Sequence, residues 1–127
     1  MNAAGFVAVG VGAMLGAWMR WGLGVALNTV VPNLPLGTLA ANLIGGYLIG
    51  IAVELVLQLH LVSAEWRLFI ITGFLGSLTT FSTFSIEAVE LLSMQRYGWA
   101  VLHIGSHFAG SLAMTVLGIY TVRAVIG

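Results

Sequence analysis

The chain has 127 residues, of which 60% are hydrophobic and only 6% charged, and its mean hydropathy of +1.08 describes a polytopic membrane protein with room for one domain, residues 1–127. Four arginines balance four glutamates and there is neither lysine nor aspartate, so the sequence lacks the basic surface that nucleic acid requires. Cysteine is absent, which excludes disulfide scaffolds, thiolate metal sites and thiol catalysis.

A helix rises about 1.5 Å per residue and the hydrocarbon core is about 30 Å thick, so each crossing needs roughly 20 apolar residues. Four stretches qualify. The first covers about residues 3–27, and without the positive region of a cleavable signal peptide it is expected to remain as an anchor. Residues 28–36 hold both prolines, Pro32 and Pro35, and read as a loop. The second span covers about residues 37–59, and the polar cluster of residues 60–67 reads as a short loop at the membrane surface. A third span follows over about residues 68–94, a turn over 95–98, and a fourth span over about residues 99–125.

With four spans, Arg67 and Arg123 fall on the side of both termini and Arg20 and Arg96 on the other. Cytoplasmic loops normally carry the excess of basic residues, and here neither side has one. That balance permits insertion in both orientations and an antiparallel homodimer, a geometry related to the inverted repeats of larger transporters. Gly12 and Gly16, Gly46 and Gly50, and the group Ala109, Gly110 and Ala113 mark faces where helices can approach closely.

Several polar groups lie where a bilayer should not tolerate them. Asn42, in the run GTLAANLIGG, must face protein or water, because an unpaired buried amide costs roughly 1–3 kcal/mol. It serves either as interhelical glue or as a donor to an anion. In the fourth span His103, His107, Ser111 and Thr115 recur every four residues, which on a helix forms one polar stripe and suggests a hydrated track. Two imidazoles at this spacing also suit a metal ion, but no HExxH motif and no nearby acidic ligand accompanies them in the sequence.

The third span is the most unusual. Its segment GFLGSLTTFSTFSIE holds Ser77, Thr79, Thr80, Ser82, Thr83 and Ser85 together with Phe81 and Phe84. Glycine followed by several hydroxyls lets a membrane helix unwind while side chains satisfy the freed backbone. Unwound carbonyls are suitable ligands for a hard cation such as sodium. The positive ring edges of the two phenylalanines would attract an anion without trapping it as a full cation would. Glu54 and Glu90 fall near span ends and are expected at the interface. Glu87 lies deeper, and is expected to pair with an arginine such as Arg20, to cap a helix or to take up protons.

The segments GVGAMLGAWMRW, GTLAANLIGG and GFLGSLTTFSTFSIE resemble, in order and spacing, the signature segments of the Fluc-type fluoride channels, or CrcB family. The similarity extends over essentially the whole chain. It implies an all-α cell-membrane protein with four transmembrane helices, the third broken at mid-membrane. It further implies a dual-topology antiparallel homodimer with two pores, passing fluoride down its gradient and so relieving fluoride toxicity. Mapped onto this sequence, the ion path would include Asn42, the ring edges of Phe81 and Phe84, and a polar track of His103, His107 and Ser111 that Thr115 continues. A structural sodium ion at the dimer centre would be held by the main-chain carbonyls of Gly76 and Thr79, and Arg20 would draw anions into a vestibule. The two histidines depart from the tyrosine or serine of other members.

Two other readings share the four spans. A proton-coupled exporter of the small multidrug resistance type wants a deep carboxylate in an early span, and the first span has none. In a non-transporting subunit the hydroxyl run would merely stabilise helix contacts. An enzyme is not expected, since no nucleophile, base and orienting group occur together.

Overall fold

The computed structural model describes residues 1–60 and 62–127. Helix α1 spans Ala3–Leu27 and α2 spans Leu36–Leu59. The third span is composite: α3 (Ala64–Arg67) runs into a π-helix, π1 (Leu68–Leu75), then α4 (Gly76–Leu78), and after two extended residues α5 (Phe81–Ser93). Helix α6 covers Tyr97–Ile126. The four spans so formed are each long and apolar enough to cross a membrane.

Local chemistry sets where these elements begin. The Asn2 side chain accepts the Gly5 N–H at 2.7 Å to start α1. Helix α2 has Pro35 at its N-cap and no capping side chain of its own. Its free donors go instead to Asn28, whose Oδ1 accepts from the Gly37 and Thr38 amides at 2.8 and 3.1 Å. The third span starts earlier than hydropathy alone suggests: residues 60–67 read as a loop, yet the helix opens at Ala64. Ser63 Oγ caps the Trp66 amide at 3.2 Å, and Glu65 stands in the first turn, where a carboxylate favours the helix dipole. Leu61, within that expected loop, lies outside the described residues. At the opposite end the first and third loops meet through a hydrogen bond from the Arg96 guanidinium to Asn33, as alternating up and down spans require.

Glycine determines how the spans meet. Helix α2 packs chiefly on α6 and α1 on π1. A methyl group at Gly50 would collide with the Thr115 carbonyl, one at Gly118 with the Tyr47 carbonyl, and one at Gly16 with the Phe74 carbonyl. Backbones therefore touch directly across α2/α6 and α1/π1, as small-residue packing allows. At the end of this pair, Arg123 Nε and Gln58 Nε2 donate to Glu54 Oε1 at 2.9 and 3.0 Å. Glu54, near the span end as expected, is thus a buried, paired carboxylate. The apolar interior is small, built on Ala41, Leu75 and Leu78, and most large hydrophobic side chains point outward, the inverse of a soluble domain.

The third span loosens and then breaks. In π1 the ladder widens so that the Gly76 amide bonds to the Ile71 carbonyl, a register shift common at functional sites. Thr79 (φ −81°, ψ 152°) and Thr80 (φ −149°, ψ 120°) are extended. The Thr79 amide and hydroxyl both return to the Leu75 carbonyl at 3.1 and 2.9 Å. Asn42 of α2 takes both backbone groups of Thr80: its Oδ1 accepts the Thr80 amide at 2.8 Å and its Nδ2 donates to the Thr80 carbonyl at 3.0 Å. A side-chain amide here replaces the peptide that a continuous helix would have offered.

Replacing Asn42 by leucine leaves both Thr80 groups unpaired and should lower stability by about 2–3 kcal/mol. Gly50→Ala should cost about 1–3 kcal/mol through forced separation of α2 and α6. Gly10, where an added methyl meets nothing within 4 Å, should accept alanine without loss. Thermal unfolding of the detergent-solubilised variants, followed by tryptophan fluorescence, checks this order.

Candidate functional site

Two cavities flank the broken segment. One, of about 320 Å³, is bordered by Arg20, Trp21, Asn28, Thr38, Thr80 and Thr83. The other, of about 500 Å³, is a groove bordered by Asn42, Gly76, Thr79, Phe81, Phe84, His107 and Ser111 among others. Thr80 borders both. The Asn42–Thr80 pairing thus stands at the divide between them.

The aromatic side chains form a stepped cluster. Phe81 is 79% exposed on the protomer, with its ring centroid 5.6 Å from that of Phe84. Phe84 is stacked on His103 at 5.2 Å and 24° and tilted against His107 at 4.7 Å. One face of Phe84 is therefore covered by an imidazole, and the residue borders the groove. His103 and His107 are 0% and 4% exposed, their rings 4.5 Å apart, as residues one helical turn apart on α6 must be.

Asn42 also fixes the state of His107. Its Nδ2 lies 3.0 Å from His107 Nδ1, and because the same amide is oriented by both Thr80 backbone groups, it is the donor. His107 Nδ1 then accepts, and the proton of the neutral ring resides on Nε2. His103 Nε2 faces the Phe84 carbonyl at 3.3 Å and acts as donor to it. Three buried side-chain atoms have no hydrogen-bond partner among the described residues: Glu87 Oε1, His103 Nδ1 and His107 Nε2.

Several sequence expectations are corrected here. Glu87 does not pair with Arg20: its Oε2 accepts the Thr38 hydroxyl at 2.8 Å and its Oε1 lies 3.6 Å from His103 Nε2. Arg20 Nε instead donates to the Ser77 carbonyl at 3.0 Å, satisfying backbone freed by the loosening helix. The histidines do have an acidic neighbour, since ligand atoms of Glu87, His103 and His107 all lie within 4.8 Å of one another. That juxtaposition is tertiary, with Glu87 on α5 and the histidines on α6. Thr115 does not border the groove but donates to the Gly46 and Ser111 carbonyls at 2.9 and 3.0 Å, where the close α2/α6 contact draws it inward. Ser111 does border the groove.

Half of the hydroxyl run is occupied locally. Ser77 and Thr79 bond back to the Phe74 and Leu75 carbonyls, and the Thr80 hydroxyl caps α5 by accepting the Thr83 amide at 3.1 Å. The Thr79 carbonyl, by contrast, accepts no hydrogen bond among the described residues, and Gly76 is exposed on the protomer surface. Thr38 is a site residue that sequence reasoning missed. It lies four residues before Asn42, hence on the same helical face, which was the available signal.

Comparison with known proteins identifies the family. The family described as CrcB-like protein, Camphor Resistance (CrcB), matches residues 7–119. A protein of Cupriavidus pinatubonensis named fluoride-specific ion channel FluC is 58% identical over 123 residues, covering 97% of this chain and 98% of that protein. Proteins of the same name from Nitrosospira multiformis and Pseudomonas putida are 60% identical over 116 residues and 53% identical over 121 residues. These alignments cover 91% of both chains in the first case and 95% of both in the second. With four membrane-capable helices, a match that runs almost from end to end and a broken third span fastened to the second, the chain is a multi-pass membrane protein and belongs to the CrcB family.

Proposed function

We propose that this protein is a fluoride channel of the cell membrane, giving passive efflux and so relieving fluoride toxicity. The observation that carries the reading is the grouping of Asn42, Phe81, Phe84 and His107 around one groove beside a broken helix, in a chain about 58% identical to a protein named for that activity. Fluoride is small and strongly hydrated, so its path must replace lost water with several modest contacts that hold it weakly enough to release it. Ring edges of Phe81 and Phe84, the Ser111 hydroxyl and the neutral His107 Nε2–H are contacts of that kind. Arg20 borders the smaller cavity and gives its mouth a positive charge while its Nε is held by the Ser77 carbonyl.

The groove lies on the outside of a single protomer, with Gly76 and Phe81 exposed. A second, antiparallel copy would close it, and two-fold symmetry would then give two equivalent pores. The exposed groove and the balanced arginines support that assembly. The break at Thr79 and Thr80 would lie near mid-bilayer, since the 30-residue third span Ala64–Ser93 extends to similar lengths on either side of it. The Thr79 carbonyl and that of the exposed Gly76 are of the kind that suits a hard, oxygen-preferring cation, so these groups would hold a structural sodium ion between the copies.

Purified protein in liposomes loaded with fluoride should release it when charge is compensated, without any proton gradient, and release chloride at least a hundredfold more slowly. Equal fluxes of the two anions would refute selectivity, and flux that requires a proton gradient would indicate an exporter. Phe81→Ile and Phe84→Ile should each slow fluoride release at least tenfold while the protein still purifies as a dimer. An unaltered rate in the double variant would mean the rings only pack.

A further inference from the structure

We propose that Glu87, His103 and His107 form a binding site for a borderline divalent transition metal ion such as Zn²⁺, set between the two cavities. Each of the three residues presents one buried atom that no protein group satisfies: Glu87 Oε1, His103 Nδ1 and His107 Nε2. Unpaired buried polar atoms are rare and call for a physical partner. One ligand atom from each of the three residues lies within 4.8 Å of the other two; the His103 nitrogen nearest Glu87 Oε1 is Nε2, at 3.6 Å, so binding through it would give up the bond to the Phe84 carbonyl. One carboxylate and two imidazoles make a donor set that selects zinc, copper, nickel or cobalt over sodium, calcium or magnesium. Three protein ligands also leave a fourth position open, as in zinc sites that take a small exchangeable ligand.

The surroundings suit such a site. The Thr38 hydroxyl holds the other oxygen of Glu87 at 2.8 Å, an outer hydrogen bond that would orient the carboxylate toward the ion. His107 borders the larger groove, and Thr38, which holds Glu87, borders the smaller cavity. Asn42 opposes binding. It donates to His107 Nδ1, and a metal on Nε2 obliges the proton to move to Nδ1, where it meets the amide NH₂. Loss of that one hydrogen bond should weaken binding by about tenfold, which three inner ligands outweigh. The imidazole therefore has two exclusive states, an N–H donor without metal and a ligand with it. On the channel reading, which this consequence alone rests on, a divalent ion there would hold fluoride too tightly and slow conduction.

The test is direct titration of the purified full-length protein in detergent with ZnCl₂ by calorimetry, together with the visible spectrum of the Co²⁺-loaded protein. The expected result is about one ion per chain at micromolar concentration, with intense cobalt bands of a four-coordinate site. X-ray absorption of the zinc form should show imidazole nitrogens at about 2.0–2.1 Å. Glu87→Gln and His103→Ala should each weaken zinc at least tenfold, while His60→Ala, remote from the cluster on the exposed C-cap of α2, should not. Absence of stoichiometric binding to the wild-type protein overturns the proposal, and so does binding that Glu87→Gln and His103→Ala leave unaltered. Cobalt spectra of the wild-type protein with only six-coordinate bands overturn it as well, with no variant required to fold. Because these readouts ignore transport, zinc binding without fluoride release would sink the channel reading alone, and fluoride release without zinc binding would sink the metal site alone.

Discussion

The pairing of one side-chain amide with one peptide, Asn42 with Thr80, decides what the third span can be. In hydrocarbon a backbone group without a partner costs several kcal/mol, so a spanning segment can leave the helical path only where protein or trapped water takes over its hydrogen bonds. Asn42 does this for both groups of Thr80. Arg20 does it for the Ser77 carbonyl, and the Thr79 hydroxyl and amide fold back on Leu75. The break is therefore supplied with partners from α1, α2 and its own preceding turn. The extended residues are a built feature, held in place by three elements.

Close packing of α2 on α6 and α1 on π1 is what brings those partners within reach. Gly50 and Gly118 let two backbones touch, and Gly12, Gly16 and Gly73 do the same between α1 and the loosened helix. Association of helices in lipid draws little from the hydrophobic effect, since the surrounding chains are as apolar as leucine. Its strength comes from contact and from hydrogen bonds such as Thr115 to the Gly46 carbonyl and Tyr47 to Thr121. The polar residues that transport would require are thus also ties between helices. A substitution along the stripe on α6 acts on packing at Thr115 and on the groove at Ser111, although the sequence spacing presents them alike.

That division explains which parts of the molecule were legible in the sequence. Span number, the proline-containing loop and the glycine contact faces follow from hydropathy and residue size, which are local or additive properties. The disruption of the third span follows from glycine and hydroxyl content, although half of those hydroxyls proved occupied by the neighbouring backbone. Glu87 could not be assigned in the same way. Its partners, Thr38 on α2 and His103 on α6, are separated from it by sequence and joined only by the packing of three helices. The same holds for the acidic neighbour of the two histidines. Periodicity shows which residues share a face of one helix, and it is silent on which face of another helix will be opposite.

The dual attachment of Asn42 bears on how an anion path can be selective without a fixed cation. A rotatable amide would offer oxygen or nitrogen to its surroundings according to what approached. Here Thr80 removes that freedom, because its amide requires the oxygen and its carbonyl requires the nitrogen. The remaining N–H points at His107 Nδ1, and the imidazole must then present Nε2–H on its far side. A backbone irregularity in one helix thereby dictates the proton position on a ring of another. The outcome is a neutral, oriented donor in a low-dielectric setting, where hydrogen bonds are stronger than in water yet weaker than an ion pair. A protonated histidine or an arginine at that depth would bind an anion more tightly and release it more slowly. The constraint that allows the helix to break is thus the same one that keeps the donor beside it modest.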